Sequence, residues 1–332
     1  MRILIVRLSA LGDIINSAPI LQFIKQAYPD AKIEWVCEEG FAPIIEEHPL
    51  LHKVHRVSIK RVKKTKSIAL LMQNIKMLRS LGKYDHIIDL QGLIKSAIVA
   101  RLVGKNIAGF AKDSIREPFA ANFYQHHTHI PYAENSIWRT CVLASDALNF
   151  TLTKQMLLDK EPALKMMPIE EPPTDAISFV IGASWPSKIY PKEKFVQLAK
   201  LLKAYKIVLI WGSEPEREDA LYIEKNCENA SLAPKLSLSE LTSYIASTQL
   251  CIGNDTGPTH LAWAMNIPSI TLFGPTPASK MIFETKTNLC IESDSVVDPM
   301  KLNREDFSIQ DIAPEKIADM AKGLLHDQFL SF

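Results

Sequence analysis

A turn, a helix, a strand and a second turn follow one another in the stretch GNDTGPTHLAWAMNIPSITLFGPT, which runs from Gly253 to Thr276. Glycines and polar residues open the stretch, an apolar helical run follows, and Pro268 separates that run from the β-branched segment SITLF. Helices that join successive strands in this way are typical of parallel sheets, because parallel strands need a long crossover connection. The stretch therefore indicates an α/β fold.

The same alternation of strand and helix patterns extends along the chain. Apolar strand-like runs include RILIVRLS, KIEWVCEE and YDHIIDLQG, and later AISFVIGAS and KIVLIWGS. Helical periodicity lies between them, as in DIINSAPILQFIKQAY and PKEKFVQLAKLLKAY. Residues 165–176 read KMMPIEEPPTDA, whose three prolines predict a linker. We therefore expect two doubly wound units with a ligand-binding cleft between them.

Length and composition fit an ordinary soluble protein of about two domains. The chain has 332 residues, of which 47% are apolar and 23% charged. Its five cysteines are widely spaced without a CxxC pair, which argues against a disulfide framework and a structural zinc site. Only four apolar residues separate Arg2 from Arg7, and no apolar run approaches ~20 residues, so we expect a cytoplasmic protein without a signal peptide or membrane span.

Charge is distributed unevenly along the chain. The formal net charge is +1, yet residues 51–84 hold ten Lys and Arg and no Asp or Glu. A charged run is often only a solvated face, but a window of this length without an acid suggests an anionic partner, such as nucleic acid, a phosphorylated substrate or an acidic membrane surface. The window contains no aromatic residue before Tyr84, which disfavours base stacking on nucleic acid.

The turn that follows LCIGN is a candidate anion site. Pro258 suits the first turn of a helix, where a missing N–H is tolerated, and the free N–H groups of that turn attract phosphate together with the helix dipole. These groups are expected to belong to Gly257, Thr259 and His260. The alternative is that Asp255 or Thr256 is only an N-cap. The turn FGPTP should lie beside this one, because adjacent parallel strands end at one edge of the sheet.

Two further turns carry polar candidates. The N-terminal turn RLSALGDIINSAP lacks the GxGxxG pattern, which disfavours a dehydrogenase. Asp13 in that turn is either a helix N-cap or a carboxylate that removes a proton from an acceptor hydroxyl. In GASWPSKIYPKEKF, Lys188 is either a surface lysine or a counter-charge for a phosphate, and Ser184 precedes it in the same turn.

Taken together, these motifs resemble those of the lipopolysaccharide heptosyltransferases, and most of all the members that add the first heptose. The motifs are VRLSALGDIINSAP, DLQGLIKSA, REPFA, SxxKxYP, WGSEPERE and GNDTGPTHLAWAMNIPSITLFGPT, in family order. The resemblance implies a GT-B fold of two Rossmann-like domains facing across a cleft. It implies an acceptor domain at 1–165, an ADP-heptose domain at 177–310 and, at 311–332, a C-terminal helix that crosses back to the N-terminal domain.

The resemblance also implies an activity. It is the inverting, metal-independent transfer of L-glycero-D-manno-heptose from ADP-heptose to the inner Kdo of Kdo-lipid A. No cofactor and no nucleic acid partner are implied. The enzyme would be peripheral on the cytoplasmic face of the inner membrane, where the basic window faces lipid A phosphates and an anionic surface.

Carried onto this sequence, the family's catalytic base is Asp13. The implied donor-binding residues are Ser184, Lys188, Glu216, Asp255, Thr256, Gly257 and His260. The implied acceptor-binding residues are Lys60, Arg61, Lys63, Lys64, Gln91 and Arg116. Among the donor residues, Lys188 and Ser184 would hold the diphosphate, Glu216 would contact nucleoside or sugar hydroxyls, and Asp255 would bind the heptose.

Two positions depart from the family pattern. Tyr190 stands where Trp is usual in the KxWP motif, which leaves nucleotide stacking there open, and Pro258 occupies a position that is commonly apolar. Two alternative functions also remain. One is a heptosyltransferase acting on a later core sugar, and the other is a non-catalytic nucleotide- or lipid-binding module. The DTG motif at Asp255–Gly257 and the basic run Lys60–Lys64 favour transfer of the first heptose.

Overall fold

The computed structural model describes residues 1–329, and the chain divides into two compact units, Met1–Lys165 and the part from Met166 onward. The first unit ends at the residue where the predicted N-terminal domain ends. Residues 166–175 carry neither helix nor strand, as the proline-rich composition of this segment predicts. Among the described residues, no helix combines the length and the apolar character needed to cross a membrane.

The first unit is built on a parallel sheet, whose described strands run in the order β3-β2-β1-β4-β5-β6. The strands are β1 (Arg2–Val6), β2 (Lys32–Glu38), β3 (Leu51–Val57), β4 (His86–Asp89), β5 (Ile107–Phe110) and β6 (His126–Thr128). The helices are α1 (Leu11–Ser17), α2 (Ile20–Ala27), α3 (Ile59–Thr65), α4 (Ile68–Arg79), α5 (Ile94–Val103), α6 (Ser136–Leu148) and α7 (Lys154–Leu158). The direction of winding reverses between β1 and β4, which leaves a crevice at the carboxyl ends of these two strands.

The apolar pattern of the sequence explains these elements. Ile3, Leu4 and Ile5 of β1 are fully buried, because helices cover both faces of a parallel sheet. The helical run DIINSAPILQFIKQAY folds as two helices rather than one, since Pro19 has no N–H to donate to a continuous helix. The basic window 51–84 folds as β3 followed by α3 and α4.

The second unit repeats the architecture with a parallel sheet, whose described strands run in the order β12-β11-β10-β7-β8-β9. The strands are β7 (Ala176–Val180), β8 (Lys206–Ile210), β9 (Ala230–Leu232), β10 (Leu250–Asn254), β11 (Ser269–Phe273) and β12 (Asn288–Glu292). The helices are α8 (Lys192–Leu201), α9 (Glu214–Asn226), α10 (Leu238–Ala246), α11 (Gly257–Ala264), α12 (Ala278–Met281) and α13 (Pro314–Phe329). Here the winding reverses between β7 and β10.

The last helix, α13, buries its apolar side in the second unit. Ile317, Ala321 and Leu325 belong to one buried cluster with Phe179 of β7 and Phe195 of α8. Burial of these side chains stabilises the second unit, since each apolar side chain removed from water contributes about 1.5–3 kcal/mol. Packing of residues 311–332 on the N-terminal domain, which the family resemblance implies, stays a prediction, and residues 330–332 lie outside the described part of the chain.

Candidate functional site

In the second unit, polar side chains from two strand ends meet at the point where the winding reverses. Asp255 directly follows β10, and Lys188 lies in the turn after β7. The Lys188 ammonium forms an ion pair with Asp255 Oδ2, and His260 Nε2 lies 3.0 Å from Asp255 Oδ1. None of the three side chains is more than 10% exposed. The fold thus brings three of the predicted donor-site residues into one buried cluster.

The electrostatics of this cluster favour a charged Asp255. Burial alone raises the pKa of a carboxyl, but the Lys188 cation and the contact with His260 outweigh burial and hold the pKa of Asp255 below its ordinary range. Thr276 Oγ1 also donates to Asp255 Oδ2 at 2.8 Å. Thr276 belongs to the FGPTP turn after β11, so the prediction that the two turns meet at this edge of the sheet is confirmed.

The start of α11 differs from the expectation in two respects. Thr256 occupies the N-cap position, but its hydroxyl forms no capping hydrogen bond. The Asp255 carboxylate contacts Lys188, His260 and Thr276. The His260 N–H donates to the Thr256 carbonyl at 3.2 Å, so the expectation of a free His260 N–H is wrong. The helical hydrogen bonds already begin at this residue. Gly257 is the first residue of α11 and is buried, and its contact with a ligand stays a prediction.

Glu216 has a defined structural role at the start of α9. Its Oε2 accepts the N–H groups of Gly212 at 2.7 Å and of Ser213 at 3.2 Å, which is one half of a capping box. A Cβ at Gly182 would overlap the Glu216 carboxylate. Because Gly182 has no side chain, the Glu216 carboxylate fits between the ends of β7 and β8. Ser184 is exposed in the neighbouring turn. Contacts of Glu216 and Ser184 with a donor stay predictions.

Tyr190 is a core residue and offers no stacking face. It is 1% exposed, its ring packs edge-on against Phe195 at 5.2 Å, and its hydroxyl donates to the Ile312 carbonyl at 2.8 Å. The Tyr190 N–H donates to Asn254 Oδ1 at 3.0 Å. Tyr190 therefore ties the turn after β7 to the end of β10, which helps to place Lys188 beside Asp255.

In the first unit, Asp13 lies at the corresponding reversal between β1 and β4. It is the third residue of α1 and not its N-cap, which is Ala10. Its Oδ1 pairs with Arg7 Nη2 at 2.9 Å, and its Oδ2 accepts the Ala10 N–H at 2.9 Å. The Asp13 side chain is 35% exposed. The carboxylate therefore closes the first helical turn and is still open to a substrate.

The turn after β4 contributes to the same region. Gln91 Oε1 accepts the Leu8 N–H at 2.8 Å, and Lys95 Nζ donates to Ser9 Oγ at 2.8 Å. Gln91 thus bridges the ends of β1 and β4, and its contact with an acceptor stays a prediction. Lys95 was missed by the sequence reasoning, although it stands in the quoted motif DLQGLIKSA.

Lys95 is coupled to its charged neighbours. Burial is the largest influence and lowers the pKa of Lys95. Glu38 and Asp13 act in the opposite direction, whereas the Lys60 charge lowers this pKa further. The base candidate Asp13 and Lys60 of α3 therefore both influence the pKa of Lys95.

Asp89 holds the turn that carries Gln91 and Lys95. It is fully buried at the end of β4 and accepts hydrogen bonds from Ser96 Oγ and Tyr124 Oη, each at 2.8 Å. It also accepts the Gln91 N–H at 2.9 Å. Burial raises the pKa of Asp89, and these hydrogen bonds oppose the rise. Asp89 is therefore a positioning residue, which the sequence reasoning did not single out.

The basic run lies on α3, immediately after β3. Glu38 Oε1 accepts the Lys60 N–H at 2.6 Å and so satisfies the start of this helix, while Lys60 Nζ stands 4.1 Å from the centre of the Phe41 ring. Arg61 Nη2 pairs with Glu39 Oε2 at 3.1 Å. The exposed residues of the predicted acceptor set are Lys60, Arg61, Lys63, Lys64 and Arg116. The structure gathers four of these on one helix, and Arg116 lies apart in the segment after β5.

Between residues 1 and 329, no group of three or more His, Cys, Asp or Glu side chains is placed to hold a metal ion. Metal independence of the reaction stays a prediction.

Comparison with known proteins agrees with this geometry. The family model described as glycosyltransferase family 9 (heptosyltransferase) matches residues 74–298. The lipopolysaccharide heptosyltransferase 1 of Campylobacter coli is 40% identical over 99% of this chain and 100% of its own length. The solved structure of E. coli heptosyltransferase WaaC with ADP has a TM-score of 0.82 at 27% identity and covers 98% of this chain and 100% of its own. The same E. coli protein with ADP-2-deoxy-2-fluoro heptose has a TM-score of 0.80 at 27% identity, with 97% and 99% covered. The predicted GT-B type of α/β fold is thereby confirmed.

Proposed function

The chain belongs to glycosyltransferase family 9, the heptosyltransferases, and from this premise we propose that it transfers L-glycero-D-manno-heptose from ADP-heptose to the inner Kdo of Kdo-lipid A with inversion. It is a glycosyltransferase, and its relatives are named as enzymes of lipopolysaccharide synthesis. The donor, the acceptor and the stereochemistry are the content of the proposal.

The observation that carries the proposal is the buried cluster at the reversal of the second sheet. An ADP-heptose donor releases a diphosphate, whose developing negative charge has to be stabilised. Lys188 supplies a cation at the carboxyl end of β7, and its ion pair with Asp255 fixes its position before the donor arrives. The start of α11 adds the N-terminal end of a helix dipole next to Asp255. Solved relatives with ADP and with an ADP-heptose analogue support this choice of donor.

The acceptor chemistry falls to the first unit. An alcohol attacks the anomeric carbon only as its proton is removed, so a carboxylate base is needed nearby. Asp13 is oriented by Arg7 and by the Ala10 N–H, and it is open to solvent on its remaining side. A direct displacement inverts the anomeric centre without a covalent intermediate, and a single carboxylate base suffices because a diphosphate leaves without being protonated.

The charged surface of the first unit supports an anionic acceptor. The exposed cations of α3 match the phosphates of lipid A, and the basic window matches an anionic membrane surface. On this basis we propose a peripheral position on the cytoplasmic face of the inner membrane.

An acceptor competition tests the proposal. The purified protein is mixed with ADP-heptose, Kdo-lipid A and an acceptor that already carries the first heptose, and the products are identified by mass spectrometry. We expect a single heptose on Kdo-lipid A, with an inverted anomeric centre by NMR. Product on the heptosylated acceptor alone would indicate a later core sugar. Absence of product and of ADP release would indicate a non-catalytic module.

A further inference from the structure

Helix α4 presents apolar side chains to solvent. Ile68 is 76% exposed, Leu71 44% and Met72 56%. Their spacing of three and four residues places them on one side of the first turn and a half of the helix. Ser67 Oγ accepts the Leu70 N–H at 3.2 Å, so the capped helix holds this cluster in place. A contiguous exposed apolar cluster indicates an interaction surface, in contrast to scattered exposed side chains.

The apolar cluster is surrounded by cations. Lys76 and Arg79 follow Met72 on the same side of α4, one and two turns further along, and both are exposed. Lys63 and Lys64 lie in the last turn of α3, and Lys66 lies in the connection between the two helices. A shallow depression on this side of α4 is lined by Met72, Ile75, Lys76 and Arg79. The window 51–84 that contains all these residues has no carboxylate side chain.

We propose that α4 is an interfacial helix, which inserts Ile68, Leu71 and Met72 between the lipids of an anionic bilayer while the surrounding cations contact the headgroup phosphates. This inference deepens the proposed function and rests on it for the presence of a lipid-linked acceptor. An apolar stripe bordered by Lys and Arg is the pattern of helices that lie in the membrane interface. Cations alone would be attracted to the surface without entering it.

The charge of the surface argues for a bilayer over other occupants. A symmetric contact between two copies would place the same cation-rich surface against itself, which like-charge repulsion opposes. A nucleic acid would be held by the cations, but exposed aliphatic side chains at the centre of the surface would lose water without gaining stacked bases. An anionic bilayer offers a complement to both parts of the surface, with phosphates for the cations and acyl chains for the apolar cluster.

The position of α4 gives the insertion a consequence for the reaction. Helix α3, which carries the predicted acceptor-binding cations, directly precedes α4. Anchoring α4 among the lipids would therefore hold the cations of α3 close to the lipid headgroups.

Vesicle binding tests the insertion. The full chain is sedimented with vesicles of phosphatidylcholine and phosphatidylglycerol that contain no lipid A, and the triple variant Ile68→Gln/Leu71→Gln/Met72→Gln is compared with wild type. Loss of three partly inserted apolar side chains should weaken binding about 100-fold. Wild-type binding should also persist in part at high salt, because salt screens the cations but not apolar contacts.

A matched control is available on other helices. Leu158, Leu201 and Leu221 are 37–42% exposed on α7, α8 and α9. Their triple replacement by Gln should leave vesicle binding unchanged. Circular dichroism verifies the folding of both variants, which alter exposed positions. Equal vesicle binding by wild type and the α4 variant, or equal losses in both variants, would overturn the inference.

Further measurements separate this inference from the proposed function. The α4 variant should keep wild-type turnover with an acceptor stripped of its acyl chains, since α4 is assigned no role in the chemistry. A wild-type protein that binds the vesicles but transfers no heptose would refute the proposed function and leave the membrane inference standing. A wild-type dimer that the α4 variant dissociates, or duplex DNA binding that the variant abolishes while vesicles are ignored, would refute the membrane inference.

Discussion

The ion pair between Lys188 and Asp255 allows a prediction whose size follows from the structure. Lys188→Met keeps much of the side-chain volume but leaves the Asp255 carboxylate, which is 2% exposed, without its cation. Removing one partner of a buried ion pair costs about 3–5 kcal/mol of unfolding free energy. We expect about 3 kcal/mol at neutral pH, the lower end of that range, because His260 and Thr276 still contact the carboxylate.

The pH dependence has a definite sign. In the wild type the pKa of Asp255 is lowered, so its contribution to stability is complete above the unfolded pKa of about 3.9 and is lost as the pH falls through the lower folded value. In Lys188→Met, burial becomes the dominant influence and raises the pKa of Asp255. The unfolding free energy of the variant should therefore increase as the pH falls and the carboxyl takes up a proton.

Chemical denaturation between pH 5 and pH 8, a range of about three units around neutrality, measures both effects. The double variant Lys188→Met/Asp255→Asn serves as the control, because it removes both charges and should recover much of the lost stability. A loss below about 1 kcal/mol at neutral pH, which is typical of an exposed pair, together with an unchanged pH profile would refute the reasoning.

Three further predictions concern the reaction. Asp13→Asn can still accept the Ala10 N–H but cannot take a proton, and it loses the negative charge opposite Arg7. We therefore expect kcat to fall ~10²–10⁴-fold while ADP affinity is retained and circular dichroism shows a folded protein; a folded variant with more than about a tenth of wild-type turnover would exclude Asp13 as the base. Replacing the α3 cations together by Gln should raise the acceptor KM, while the ADP affinity measured by calorimetry stays unchanged. An unchanged acceptor KM would show that these cations are only a solvated face of the helix. These cations are Lys60, Arg61, Lys63 and Lys64. Activity in excess EDTA should equal that without it, and a strict requirement for Mg²⁺ or Mn²⁺ would contradict the metal-independent reaction.

Much of the fold follows from local patterns in the sequence. Runs such as RILIVRLS and SITLF are buried on both sides in a parallel sheet, so their apolar character is nearly continuous and identifies the strands. The break between α1 and α2 shows where periodicity alone is insufficient. The apolar spacing continues across Ala18, but Pro19 interrupts the hydrogen bonding.

Three members of the buried cluster, Lys188, Asp255 and His260, were singled out from the sequence, but most of the contacts among them were not. Asp255 and His260 belong to the same motif and are five positions apart in the sequence, so their proximity could be expected. The pairing of Asp255 with Lys188 depends on the strand order, which places β7 beside β10. The two residues are 67 positions apart in the sequence, so their contact could not be read from it. Thr276 could have been identified from the adjacent turn that the sequence already indicated.

The buried positioning residues were outside the reach of sequence reasoning. Asp89 stands at the end of an apolar run, which is also where a ligand-binding carboxylate is expected. Only its contacts with Ser96 and Tyr124 show that it fixes a turn instead. Lys95 acquires its place beside Ser9 through that same turn. The start of α11 is a similar case, because only the structure shows that the His260 N–H is already used.

The most direct test of the proposed reaction is a product balance with the wild-type protein. Purified protein, ADP-heptose and Kdo-lipid A are incubated, and released ADP and heptosylated lipid are quantified in the same sample by mass spectrometry. The account predicts equal amounts of ADP and of singly heptosylated Kdo-lipid A, with neither formed when the acceptor is omitted. ADP released without heptosylated lipid, or no turnover of ADP-heptose with Kdo-lipid A, would contradict it.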